Sequence, residues 1–174
     1  MGLSIAVSGA IIMAALMYVL ISMPGLVDSI YSVNEVSSEV STLEGSIIQT
    51  DITLDFLAAD STSDYVNFTV NNVGKEKLWN FDDFDIIITF DDPTIRLTEK
   101  LSYETTCTVN GVPSAAGNWC IQVISNDILD PGILNSGESM DVRTQLSTSL
   151  DPGIAIALVV TDNGVVATSS KSVT

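Results

Sequence analysis

The residues of this chain best suited to chemistry are its carboxylates, which cluster at the two ends of the apolar segment "FDIIITF". The cluster consists of Asp82, Asp83, Asp85, Asp91 and Asp92. Hard cations such as calcium bind carboxylate oxygens, and two carboxylates at a defined separation can hydrolyse a glycosidic bond. No EF-hand spacing is present, and nothing sets a distance between any two of these groups. Solvated strand ends are therefore the favoured interpretation, and we predict no metal ion and no cofactor.

Other catalytic arrangements lack their residues. The chain contains no histidine, so its abundant serines cannot form the usual triad. Its two cysteines lack the CxxC spacing of a zinc site, and no Gly-rich phosphate loop occurs. We therefore predict no catalytic residues and a non-enzymatic role. An anchored extracellular enzyme is kept as a third alternative.

The charge balance excludes several partners. The net charge is -16, with only six Lys and Arg residues among 174. Binding to nucleic acid requires a basic face that neutralises phosphates, and a polybasic contact with anionic lipid heads has the same requirement. The acidic balance is compatible with solubility outside the cell, with high salt, or with loose binding of divalent cations.

The elements that position these residues begin with a charge-free segment, since Asp28 is the first charged residue. As a helix, residues 3–27 would extend about 37 Å, enough to cross a hydrocarbon core of about 30 Å. Small residues spaced by four let helix backbones approach closely in an apolar medium. The predicted assembly face consists of Ala6, Ala10 and Ala14, with Ser4 and Ser8 on an adjacent row. A single membrane anchor and a helix-on-helix assembly element both remain open.

The helical pattern continues as an amphipathic one. Apolar residues recur at steps of three or four, at Ile30, Val33, Val36, Val40, Leu43 and Ile47. This period predicts a stripe that packs against the following domain or against neighbouring copies. Gly45 is the predicted end of the helix, so residues 1–45 form the first predicted unit.

From residue 46 the period changes to two, which indicates β-strands. Turn residues separate about seven or eight short apolar segments, beginning with "SIIQTDITLDFLAAD", where Ile48 opens the first strand. The last two segments flank "DNG", which predicts a hairpin with a type I′ turn. About seven or eight short strands indicate an antiparallel sandwich or barrel. The predicted fold class is α+β, with a long N-terminal hydrophobic helix followed by an antiparallel β-sandwich over residues 46–174.

Three segments resemble the archaellin-like proteins of the archaellum, the archaeal motility filament related to type IV pili. They are "GLSIAVSGAIIMAALMYVLIS", "VNFTVNNVGKEKLWNFDDFDIII" and "LNSGESMDVRTQLSTSLDPGIAIALVVTDNGVVATS". The second is similar to that family's strand–Asn-x-Gly–strand hairpin, and the third to its Gly-Glu turn and closing strands. The resemblance implies an immunoglobulin-like sandwich and a role without catalysis. Filament subunits of the family bury their helices in a central bundle, whereas stator-type members keep the helix in the membrane and bind the surface layer.

The predicted function is that of a filament subunit that polymerises through its N-terminal helix for motility. The alternative is a membrane-anchored archaellum stator protein whose sandwich binds the surface layer. Two features depart from the subunit pattern: the short basic leader of archaellin precursors is not visible before Met1, and Ile5 stands where pilin-type helices often carry Glu. The segment "MGLSIAVSGAII" is also similar to the N-termini of stator-type members.

These interpretations imply specific partners and locations. The partners are copies of the chain or related archaellins in a helical filament, with the membrane as host before assembly. A surface-layer protein is a further candidate partner, and nucleic acid is excluded. The predicted location is an extracellular filament on the cell surface, or a membrane-anchored position facing outside.

Two modifications are predicted in the β-domain. Cys107 and Cys120 flank a loop between two strands, and in an extracellular domain a disulfide there would contribute about 3 kcal/mol. Two separate thiols are the alternative. Asn67 begins the sequon Asn67-Phe68-Thr69. Since it alternates with Val66 and Phe68, its side chain is predicted to face outward and to be a candidate for glycosylation.

The aromatic residues of the domain have two interpretations. They could form a sugar-stacking face, but core packing or a subunit contact is favoured for them. They are Trp79, Phe81, Phe84 and Trp119.

Overall fold

The computed structural model describes the backbone of residues 2–61, 63–108 and 110–174, and their side chains except those of residues 2–6, 24–30 and 56–57. One α-helix, α1, extends over Gly2–Gln49. The chain divides into two compact units, Met1–Glu44 and Gly45–Thr174. Eight strands belong to the second unit: β1 Ile52–Ala58, β2 Asn67–Asn72, β3 Asp85–Asp91, β4 Arg96–Tyr103, β5 Asn118–Ser125, β6 Ser139–Gln145, β7 Gly153–Val160 and β8 Val166–Val173. The predicted α+β class is confirmed.

The end of α1 differs from the prediction. The helix passes through Gly45 and ends at Gln49, so Ile48 belongs to its last turn and not to the first strand. The turn closes with the Thr50 N–H donating to the Ser46 carbonyl oxygen at 3.0 Å. The Thr50 hydroxyl donates to the same oxygen at 2.9 Å. A glycine ends a helix only where the chain adopts a left-handed conformation after it, and Gly45 remains helical.

The strands form one sheet in the order β1-β2-β6-β5-β4-β3-β7-β8. Its two edge strands, β1 and β8, contact each other, so the sheet nearly closes on itself. Near this contact the Ser61 hydroxyl donates to the Thr174 carbonyl oxygen at 2.8 Å. The predicted sandwich of two separate sheets is therefore not confirmed in that form. Closure protects the edges, which otherwise expose unpaired backbone groups.

One strand pair is parallel, although an antiparallel domain was predicted. β4 and β5 pair in parallel through only two positions, Ser102 with Asn118 and Tyr103 with Trp119. The other pairs are antiparallel. Residues 104–117 connect β4 to β5 and return the chain to the same end of the sheet. A parallel pair requires such a crossover of a dozen or more residues.

The core lies inside the nearly closed sheet. In β3 and β6, every second residue is buried, as expected for strands with one face in a core. The largest fully buried side chains include Trp119, Phe68, Phe90 and Met140. Because Phe81, Phe84 and Trp119 are buried, the prediction that most of the aromatic residues pack in the core is confirmed, and Trp79 is the exception.

The β7–β8 hairpin forms as predicted, but with another turn. A type I′ turn requires a positive φ at both central residues. Here Gly164 has φ +86 and Asn163 is not left-handed. The Gly164 N–H donates to the Thr161 carbonyl oxygen, and the Thr161 N–H donates to the Val165 carbonyl oxygen, both at 2.9 Å. This is a type I turn followed by a bulge at glycine. In this turn the Asn163 side chain donates a hydrogen bond outside the hairpin, to Thr50.

Candidate functional site

The predicted helix-assembly face is described only in part. Ser8, Ala10 and Ala14 are exposed, whereas the side chains of Ser4 and Ala6 lie outside the described residues. Large apolar side chains are exposed around them, including Val7, Ile11, Leu16 and Tyr18. This segment of α1 therefore presents apolar surface that a folded subunit in water would normally bury.

Within the part of α1 whose side chains are described, no segment combines the length and the apolar character required to cross a membrane.

The second half of α1 carries the predicted apolar stripe. Its described members, Val33, Val36, Val40, Leu43 and Ile47, are all exposed. The stripe therefore exists as a surface, and its packing against the following domain or against neighbouring copies remains a prediction.

The last residue of α1 and the second residue after it, positions 49 and 51, accept backbone hydrogen bonds from residues 73–76. The Gln49 carbonyl oxygen accepts from the Lys75 N–H at 2.7 Å and from the Glu76 N–H at 3.1 Å. The Asp51 carbonyl oxygen accepts from the N–H groups of Val73 and Gly74, both at 2.9 Å. The last carbonyls of a helix have no partner within the helix. The loop after β2 supplies hydrogen-bond donors to the Gln49 carbonyl oxygen, so this loop acts as a C-terminal cap of α1.

Asn72 holds this cap in place. Its side chain is fully buried, and its amide nitrogen donates to the carbonyl oxygens of Glu76 at 2.7 Å and Leu134 at 3.0 Å. Its amide oxygen accepts from the Gly74 N–H at 3.1 Å. The hairpin that the resemblance implied at this Asn-x-Gly motif does not form, since β2 pairs with β1 and β6 and not with β3. The motif instead supports the loop that caps the end of α1.

Two further residues contact the chain at the end of α1, Gly74 and Asn163. A Cβ at Gly74 would lie 2.5 Å from the Gln49 carbonyl oxygen and closer still to the Asp51 nitrogen, so only glycine fits between these backbones. Asn163, from the β7–β8 turn, donates its amide N–H to the Thr50 hydroxyl at 2.6 Å. The sequence gives no local signal for this contact, because residues 50 and 163 meet only in the folded sheet.

The predicted disulfide is present. Cys107 and Cys120 are bonded, with their Cα atoms 5.5 Å apart. Beside it lies an open cleft of about 520 Å³, lined by polar side chains that include Thr105, Thr108 and Gln122. The disulfide joins the connection after β4 to β5, next to the short parallel pairing.

The prediction that Asn67 faces outward is wrong. Asn67 is only 2% exposed, and its neighbours Val66 and Phe68 are fully buried. Alternation places a residue outside only where one face of the strand is solvated, and at this end of β2 both faces are covered. A glycan requires a surface asparagine, so the folded domain does not present this sequon.

The aspartates around β3 have structural partners. Asp85 and Asp91 are the first and last residues of the strand. Asp85 forms an ion pair with Lys100 at 2.7 Å, and Asp91 forms one with Arg96 at 3.5 Å. Asp91 also accepts from the Ile154 N–H at 3.2 Å. Across the described part of the chain, no group of three Cys, Asp or Glu residues is arranged to hold a metal ion.

Two side chains near the disulfide loop have shifted pKa values. Hydrogen bonds from the hydroxyl and the N–H of Ser114 hold the pKa of the Glu104 carboxyl below its ordinary value. The N–H bond measures 2.9 Å. Burial, followed by the negative charge of Asp82, raises the pKa of Tyr103, whose ring packs on Trp119 with centroids 4.6 Å apart. Both groups therefore contact residues beside the disulfide loop, Glu104 through Ser114 and Tyr103 through Trp119.

The comparisons with solved structures concern the fold. The chain is similar to the archaellum periplasmic stator protein FlaG from Sulfolobus acidocaldarius, with a TM-score of 0.50 and 15% identity. That match covers 70% of this chain and 99% of FlaG. A structure of the stator complex of FlaF and FlaG from the same organism matches with the same TM-score and identity, over 69% of this chain and 87% of that one.

An enzyme is also among the structures that match. A β-glucosidase from Listeria innocua matches at a TM-score of 0.29 over 16% of its length, which is too weak to carry an argument. No protein-family model matches the chain, and no curated protein matches it by sequence. At 15% identity, the likeness to FlaG establishes a shared fold.

Proposed function

We propose that the chain is a non-catalytic structural component of an archaellum, of the stator type. The observation that carries this proposal is the match to nearly the whole length of the FlaG chain. In this function, α1 attaches the protein to the cell envelope through its apolar surface, and the β-domain binds a stationary envelope partner, for which a surface-layer protein is the candidate. The absence of histidine from the chain supports a role without catalysis.

The filament subunit, which was the first prediction from sequence, is the second candidate. The exposed apolar side chains of α1, such as Ile11, Leu16 and Leu20, favour it, since a bundle of identical helices would bury them. The comparisons support the stator candidate better, because the two similar structures from Sulfolobus acidocaldarius are described as archaellum stator proteins.

A sedimentation experiment tests the stator proposal. The unit Gly45–Thr174 has its own buried core, so we expect residues 45–174 to fold alone. Mixed with surface-layer sheets isolated from the source cells, this domain is expected to pellet with them, and a denatured and alkylated sample of the same domain serves as control. A domain that stays in the supernatant at every concentration tested would contradict the proposal.

A further inference from the structure

Beyond α1, the three most exposed large apolar side chains among the described residues lie on two segments that a β-bridge and an ion pair hold side by side. They are Ile128, Leu129 and Trp79, which are 83%, 73% and 64% exposed. We call these three residues the Trp79 patch. Scattered single apolar side chains are normal on a protein surface, but a set on neighbouring segments that contains Trp is typical of a binding surface.

Backbone pairing places the two segments side by side. The N–H of Leu78 donates to the Leu134 carbonyl oxygen at 3.1 Å, and the N–H of Leu134 donates back at 2.8 Å. Both leucines are buried. The pairing is a single bridge between Leu78 and Leu134, and Trp79, which follows Leu78, is exposed. The ion pair between Lys77 and Asp130 holds the loop that carries Ile128 and Leu129 beside this segment.

The loop is held in the conformation that exposes its apolar residues. The Asp127 carboxylate accepts from the Gly132 N–H at 3.0 Å, and the Asn135 amide donates to the Leu129 carbonyl oxygen at 2.6 Å. Asp130 adopts a left-handed conformation, with φ 52. A preorganised surface loses less entropy on binding than a flexible one.

The charges around the patch select the partner. Lys77, the cation nearest to Trp79 in the sequence, is paired with Asp130 at 2.5 Å. Asp82 and Asp83, in the short 3-10 helix after Trp79, are exposed, and Asp127 adds a third carboxylate. A second copy would bring the same acidic rim against this one, and an anionic lipid surface would be repelled as well.

We propose that the Trp79 patch is a docking surface for another protein, whose contact surface has an apolar pocket ringed by Lys and Arg. Trp79 fills the pocket, and the aspartates face the cations on its rim. Buried aromatic anchors surrounded by complementary charges are the common form of such contacts. This inference goes beyond the proposed function and does not depend on it, because it specifies the partner's chemistry and not the partner's cellular role.

Photocrosslinking in the cells that produce the full chain tests the inference. A benzophenone amino acid replaces Leu129 in one variant, and Val166, which is exposed on β8, in a control. We expect the probe at 129, and not the one at 166, to give one discrete protein adduct, whose crosslinked partner peptide contains Lys or Arg beside apolar residues. With Trp79→Ser added, the yield at 129 should fall at least about tenfold, as for an aromatic anchor. With Asp82→Lys added, it should fall about threefold, as for a rim charge.

Several outcomes would overturn the inference. They are the absence of an adduct at 129, the same adduct from both positions, crosslinking to lipid or to a second copy of this chain, a partner peptide without cationic residues, and an unchanged yield with Trp79→Ser. Because Trp79 is exposed, Trp79→Ser should keep the thermal midpoint of the parent chain, so a loss of adduct would report on docking. Failure of this test leaves the sedimentation result, and with it the proposed function, unaffected.

Discussion

The carbonyl oxygen of Gln49, the last residue of α1, accepts a hydrogen bond from the Lys75 N–H at 2.7 Å. Through this contact the loop after β2 closes the end of the helix, a position that usually requires a glycine cap or water. The last turn of α1, which belongs to the same unit as the strands, is therefore capped by the β-domain.

Gly74→Ala should destabilise the domain by about 1–3 kcal/mol, as overpacking does, because its methyl group would collide with the Gln49 and Asp51 backbones. The matched control is Gly45→Ala. No atom lies within 4 Å of a Cβ at Gly45, so alanine there should stabilise the helix by about 1 kcal/mol. Denaturant unfolding of both variants measures the difference, and equal effects would contradict the cap geometry.

Asn72→Ala should cost more than Asn71→Ala, although the two residues are neighbours in sequence. Removing the Asn72 amide leaves the partly buried Glu76 carbonyl oxygen without its donor, at about 1–3 kcal/mol for an unsatisfied group. The Leu134 carbonyl oxygen loses one of two donors and keeps the Leu78 N–H. The Asn71 side chain donates to Asp55 and Thr53 at exposed positions and accepts from the partly buried Ser139 hydroxyl, and water can replace these partners. Loss of these hydrogen bonds should cost below about 1 kcal/mol. Thermal unfolding tests the order, and the reverse order would refute the assigned role of Asn72.

Loss of the Cys107–Cys120 disulfide should lower the free energy of unfolding by about 3 kcal/mol, since the bond closes a loop of moderate length. The double variant Cys107→Ala/Cys120→Ala and the reduced parent chain should show similar losses in denaturant unfolding. Reductant should not affect the double variant. An oxidised parent chain no more stable than the double variant would contradict this prediction.

Glu104 should titrate below the ordinary range of a glutamate, because hydrogen bonds from Ser114 favour its ionised form. With the pKa lowered in the fold, the stabilisation is present above the ordinary pKa and is lost as the pH falls through the lowered value. Carbon-13 NMR of the carboxyl group measures the titration. Ser114→Ala should raise the pKa towards the ordinary value, and a titration that does not move in this variant would exclude the hydroxyl as the main cause.

The fold could be predicted where a local period reports burial. β3 and β7 each bury alternate residues on one face, so the sequence pattern was sufficient to place them. Alternation of polar and apolar residues predicted the wrong exposure for Asn67, because both faces of β2 are covered at that point. The covering segments are distant in sequence, so the local pattern contains no information about them. The strand order, the parallel β4–β5 pair and the contact of Asn163 with Thr50 depend on segments distant in sequence, and were not predictable for the same reason.

The most direct test of the stator proposal is to shear and purify surface filaments from the source cells, and to quantify this chain in the filament and envelope fractions by mass spectrometry. We expect it in the envelope fraction at low copy number, with only traces in the filaments. If it is instead the dominant protein of the sheared filament, the stator proposal is wrong and the chain is a filament subunit, with α1 in the core of the polymer.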